Sequence, residues 1–129
     1  MTGERNEPKK FDLEERLLDY AAGIIRLVDS LRPTAAGRHV GGQLLRSGTA
    51  PLGHHGEAQA AESMRDFVHK LKIALKELRE SFRWLRLIQR ADLHNDKDGV
   101  SDMANETDQL IRIFCASVRT AQKRIPEKS

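Results

Sequence analysis

A single cysteine, Cys115, excludes an internal disulfide framework. It sits among Ile111, Phe114 and Val118, where a thiol reads as a small buried hydrophobe rather than a reactive group. Aromatic residues make up only 5% of the chain and no short run alternates cleanly, so strands have little to build on. No apolar run approaches the roughly 20 residues that span a bilayer. The opening MTGERNEPKKFDLEER lacks the apolar centre of a secretory signal, so the expected location is cytoplasmic, with no membrane contact. Familiar chemistry is missing too. There is no Gly-x-x-x-x-Gly-Lys phosphate loop and no Gly-x-Ser-x-Gly elbow, and the glycines of 37–42 follow no strand. Ser47 and Ser63 have no convincing base and orienting acid beside them in the pattern. No catalytic residue is assigned, and the chain reads as a non-enzyme.

Metal ligation is equally thin. Di-iron bundles use two Glu-x-x-His pairs and two further glutamates. Asp66-x-x-His69 is the one acid of that spacing here. His54-His55, followed by Glu57, is read as an exposed or interfacial pair in a loop. No metal and no cofactor are expected.

What remains is helix-forming material. The chain is 39% hydrophobic and 32% charged, rich in leucine, alanine, lysine, glutamate and arginine, which describes a globular core under a charged skin. Residues 1–10 read as a disordered arm, 11–125 as the folded unit, and 126–129 as a tail. Asp12 with Glu15 forms a capping-box pattern, and Leu13, Leu17, Ala21, Ile24, Val28 and Leu31 then recur at spacings of three and four. Pro33 ends that helix. Thr34 is the expected cap of a second, with Val40, Leu44 and Leu45 as its apolar face. Gly48-Thr49-Ala50-Pro51-Leu52-Gly53 should break or kink it, with helix resuming near Gly56. From Met64 to about Asp92, Met64, Val68, Leu71, Leu75, Leu78, Phe82 and Leu85 follow a heptad spacing without proline or glycine. A polar loop over 93–99 follows. Ser101 or Asp102 is the expected cap of a last helix striped by Met103, Leu110, Ile111, Phe114, Val118 and Ala121. Four amphipathic helices with short links predict an all-α, up-down-up-down four-helix bundle.

One position after each heptad residue of the third helix lies a second row: Arg65, His69, Lys72, Lys76, Arg79, Arg83, Arg86 and Arg90. It runs along the helix about 100° round from the apolar row and is roughly 37 Å long. Such a line of cations can track a phosphate backbone. Its members also repel one another, by a few tenths of a kcal/mol per pair. Three things could offset that repulsion: RNA or DNA, an acidic protein partner, or acids on neighbouring helices. The net charge of +3 decides nothing between them. Lys9 and Lys10, and Arg119, Lys123, Arg124 and Lys128, add smaller basic clusters at the two ends. With so few aromatics, sequence-specific single-strand readout is not favoured.

The runs Ala36-Gly37-Arg38-His39-Val40, Gln43-Leu44-Leu45-Arg46-Ser47-Gly48-Thr49 and Glu57-Ala58-Gln59-x-Ala61-Glu62-Ser63 carry a resemblance, continued by Asp66-Phe67-x-His69-Lys70-Leu71-Lys72 and Trp84-Leu85. Together with Phe11-Asp12-Leu13-Glu14-Glu15, they resemble the bacterial four-helix-bundle family named for the 23S rRNA intervening-sequence protein. The resemblance is strong over 11–92. It implies a homopentameric barrel with a basic surface or channel. It also implies kinship with the accessory protein of diversity-generating retroelements, which binds nucleic acid and a reverse transcriptase. The residues it touches are Arg38, Arg46, Glu57, Gln59, Glu62, Asp66, His69, Lys72, Lys76 and Arg79. His54-His55 departs from the family's usual Asn followed by Tyr.

Overall fold

The computed structural model describes residues 12–126, so the arm expected over 1–10 and the tail residues 127–129 lie outside the described residues. Four helices follow in order: α1 (Leu13–Asp29), α2 (Ala35–Gln59), α3 (Met64–Ala91) and α4 (Lys97–Gln122). Each begins on a side chain that accepts from the free amides of the first turn. Asp12 accepts from the Glu15 amide at 3.1 Å, Thr34 from Gly37 at 3.0 Å, Ser63 from Asp66 at 3.0 Å and Asp96 from Gly99 at 3.0 Å. Short links join antiparallel neighbours, giving the expected four-helix bundle. α2 packs between α1 and α3, α4 packs mainly on α3, and α1 and α3 stand diagonally opposed.

Two boundaries differ from the sequence reading. α2 is continuous through Gly48–Gly53. Pro51 removes one backbone donor, a loss of order 3 kcal/mol in an exposed helix. Here its ring is fully buried. Gly48 lies close against α1: a β-carbon there would stand 2.8 Å from Ile24 Cγ2. The segment that looks like a breaker is therefore an interhelical contact, and packing on both flanks overrides propensity. α4 starts at Lys97, and its cap, Asp96, lies five or six residues before the expected one. Asp98 and Gly99 mask the start, but Val100 is 1% exposed and opens the buried seam Val100, Ala104, Thr107, Leu110, Phe114, Val118 and Ala121.

The seam of α3 is also shifted. Leu71, Ala74, Leu78, Ser81, Leu85 and Ile88 are the buried line, while Met64, Leu75 and Phe82 are only half-buried. The small residues Ala74 and Ser81 take core positions. One polar side chain from each helix meets in that core. Tyr20 donates to Thr107 Oγ1 at 2.7 Å, Thr107 donates to the Met103 carbonyl at 2.7 Å, and Ser47 and Ser81 hydroxyls lie 2.8 Å apart. All four residues are at most 2% exposed.

Burial pushes the Tyr20 phenol up from 10.0 to about 12, against the smaller opposing effect of its hydroxyl partners. Below about pH 10 folded and unfolded chains hold the same proton. Between there and about 12 the unfolded chain ionises first, so stability falls as pH rises. At about pH 11 that loss amounts to roughly 1.4 kcal/mol. Tyr20→Phe should cost about 1 kcal/mol at neutral pH and should lack this alkaline loss. Urea unfolding of both proteins near pH 9 and pH 11 measures the difference.

Candidate nucleic-acid interface

All eight positions of the row on α3, Arg65, His69, Lys72, Lys76, Arg79, Arg83, Arg86 and Arg90, are exposed. Ala74 and Ser81, not Leu75 and Phe82, face the core, which turns the row outward. Among the described residues, none of its seven cations has a carboxylate within 4.0 Å. Arg79 donates instead to Cys115 Sγ on α4 at 3.2 Å, which leaves its charge uncompensated. Cys115 is half-buried in the side of the bundle.

The acids that could have neutralised the row are engaged elsewhere. α3 carries eight lysines and arginines against three acids. Of those acids, Glu77 pairs with Arg46 of α2 at 2.9 Å, Glu80 also pairs with Arg46, and Asp66 lies 3.7 Å from Lys70, outside the row. Arg46, helped by the Trp84 indole N–H at 3.0 Å, holds the Glu80 carboxyl below its usual range; Lys76 adds a weaker through-space pull. Glu106 binds Arg16 at 2.7 Å and Asp108 binds Arg112 at 3.0 Å. Charge is segregated as a result. Exposed Glu14, Glu15, Asp19 and Asp29 make α1 the acidic helix, and it stands diagonally across the core from the basic one. A bundle polarised in this way presents one electropositive edge to a polyanion.

The residues the family resemblance singles out divide into two groups. Lys72, Lys76 and Arg79 belong to the open row, and His69 is exposed beside them. Of the others, Arg46 and Glu57 tie helices together. Arg46 bridges α2 to α3. Glu57 lies 4.0 Å from Lys70 across the same helix pair. Gln59 pairs with His55 at 3.3 Å, and Arg38 donates to the Pro33 carbonyl at 3.3 Å in the turn before α2. Glu62 is exposed in the link between α2 and α3.

His54 and His55 are not in a loop. They belong to α2, and His55 is buried, 3.2 Å from Glu14 on α1 and edge-on to Phe114. The ring fastens three helices. Among the described residues no group of three or more histidine, cysteine or acidic side chains is gathered to hold a metal ion. No described helix is long and apolar enough to cross a membrane.

The sequence reading missed the apolar floor beside the row. Two open grooves lie along it. One, of about 560 Å³, is lined by Lys72, Leu75, Lys76, Arg79, Glu80 and Arg83. The other, of about 420 Å³, is lined by Arg79, Phe82, Arg83, Arg86 and Ile111. The signal was in the competing seam: at 100° per residue, once Ile88 joins Leu71, Leu78 and Leu85 in the core stripe, Ala74 and Ser81 fit it better than Leu75 and Phe82 do.

No protein-family model matches the chain, and no curated protein does. A solved structure does match: the crystal structure of a protein of unknown function from the S23 ribosomal protein family of Bacteroides thetaiotaomicron. It is 28% identical, the match covers 83% of this chain and 98% of that one, and the TM-score is 0.76. The family of this neighbour agrees with the one that the sequence motifs resemble.

Proposed function

We propose that this chain is a non-enzymatic, self-associating helical bundle that binds nucleic acid, RNA or DNA, through the basic face of α3 and without strong sequence preference. The observation that carries the reading is the row of seven exposed cations that no described carboxylate neutralises. A folded chain keeps such a row at a small but real repulsive cost. A polyanion laid along it releases counterions and removes that cost. Leu18 and Ile25, exposed by 43% and 44% and seven residues apart on α1, supply an apolar strip suited to subunit contact, the accompanying half of the proposal.

The binding test is direct. Fluorescence anisotropy with labelled oligonucleotides should show affinity falling roughly 10²- to 10³-fold between about 50 mM and 200 mM salt, as expected when four or five phosphates are contacted. No binding at the lower salt would end the proposal. A second reading rests on the acidic face of α1: the row could meet Glu14, Glu15, Asp19 and Asp29 of another copy or an acidic partner, making the protein a structural adaptor. Sedimentation distinguishes the two, because neutralising the row would then dissociate the assembly.

A further inference from the structure

We infer that the ligand class is single-stranded nucleic acid, with bases seated on the apolar floor of the two grooves and the phosphates on the row. This inference rests on the reading of the row as a nucleic-acid interface and narrows it.

Three observations carry it. The first is the shape of the row. It is straight, and its members, His69 included, are three or four residues apart, so successive members rise by about 4.5–6 Å over a length of roughly 37 Å. Duplex phosphates wind about their axis once per roughly 34–36 Å, and the duplex is stiff over about 150 base pairs. A straight row set along a duplex therefore crosses grooves and meets each backbone only briefly. A single strand has the freedom to follow it.

The second observation is the floor. Leu75, Phe82 and Ile111 are half-buried, packed against the core yet facing open grooves between the cations. A duplex keeps its base faces stacked inside and offers nothing to such a surface. A single strand exposes those faces, and they gain from apolar and aromatic cover in a way that does not depend on sequence.

The third is the company Phe82 keeps. Arg79, Arg83 and Arg86 share its groove of about 420 Å³. Guanidinium planes both bind phosphate and stack on bases. The groove therefore joins backbone attraction to base cover within about two turns of helix. Glu80, the one acid lining the neighbouring groove, is held by Arg46 and Trp84.

The experiment compares three probes of about 20 nucleotides with the full chain at matched salt: a single strand of oligothymidine or oligouridine, the same length as duplex, and an abasic strand. The single strand is expected to bind at least about tenfold tighter than the duplex. The abasic strand should lose about tenfold while keeping the same salt slope, because the phosphates remain and the stacking is gone. Phe82→Leu preserves apolar packing and should reproduce the abasic loss on the normal strand, leaving abasic and duplex binding unchanged. Equal affinity for duplex and single strand, or an abasic strand that binds as well as the normal one, overturns this inference while salt-dependent binding keeps the broader one. Failure of all three probes to bind overturns both.

Discussion

Replacing Lys72, Lys76, Arg79 and Arg83 together by glutamine is expected to weaken nucleic-acid binding by more than about 100-fold near 0.1 M salt, and to lower the slope of log affinity against log salt by about 3 for a single strand. These four residues are exposed and have no carboxylate partner among the described residues, so the change removes attraction for phosphate without breaking an ion pair. Glutamine is also a good helix former. Like-charge repulsion along α3 falls, so thermal stability should hold or rise slightly. Circular dichroism melting and sedimentation, run beside the binding titration, separate the possibilities. Lost binding with an intact fold and unchanged mass supports the interface. Unchanged affinity removes it. Dissociation of the assembly would assign the row to subunit contacts instead.

Leu44→Ala and Leu45→Ala should differ by several kcal/mol although the residues are adjacent. Leu44 is 0% exposed and Leu45 is 40% exposed. α2 buries few large side chains: beside Val40 and Leu44 its core-facing positions are mostly glycine, alanine and serine. The helix is held close by those small residues, so the wall around Leu44 has little freedom to collapse into a cavity. Leu44→Ala is therefore expected to destabilise by about 3–5 kcal/mol, the upper part of the range for buried leucine. Leu45→Ala should stay within about 0.5 kcal/mol. Chemical denaturation of the two variants measures this. A similar loss at both positions would mean that Leu45 is covered by another subunit in solution.

Much of this architecture was legible because helix signals are local. Capping at Asp12 and Thr34 and the long uninterrupted α3 need only neighbours in sequence. What was not legible depended on partners far along the chain. Gly48 looks like a break until Ile24 is placed against it, Pro51 until its ring is seen buried, and Asp98-Gly99 look like loop until Val100 is seen in the core. Leu45 joined the apolar face on hydrophobicity alone, although the wheel turns it to solvent. The periodicity gave the basic row as a line on α3. Whether carboxylates met it was a tertiary question, answered by where Glu77, Glu80, Glu106 and Asp108 go. The grooves beside Phe82 were hidden for a related reason: small core residues, Ala74 and Ser81, carry no hydrophobic signal strong enough to displace a leucine and a phenylalanine from the apparent seam.

The most direct measurement is residue-level: lysine acetylation followed by mass spectrometry, with and without a saturating single-stranded oligonucleotide. Lys72 and Lys76 should lose reactivity when the oligonucleotide is bound. Lys97, whose side chain is 70% exposed at the far end of the α3–α4 link, should react equally in both samples. Protection of Lys97 with Lys72 and Lys76 left reactive would contradict the account, because the polyanion would then lie off the face that α3 leaves open.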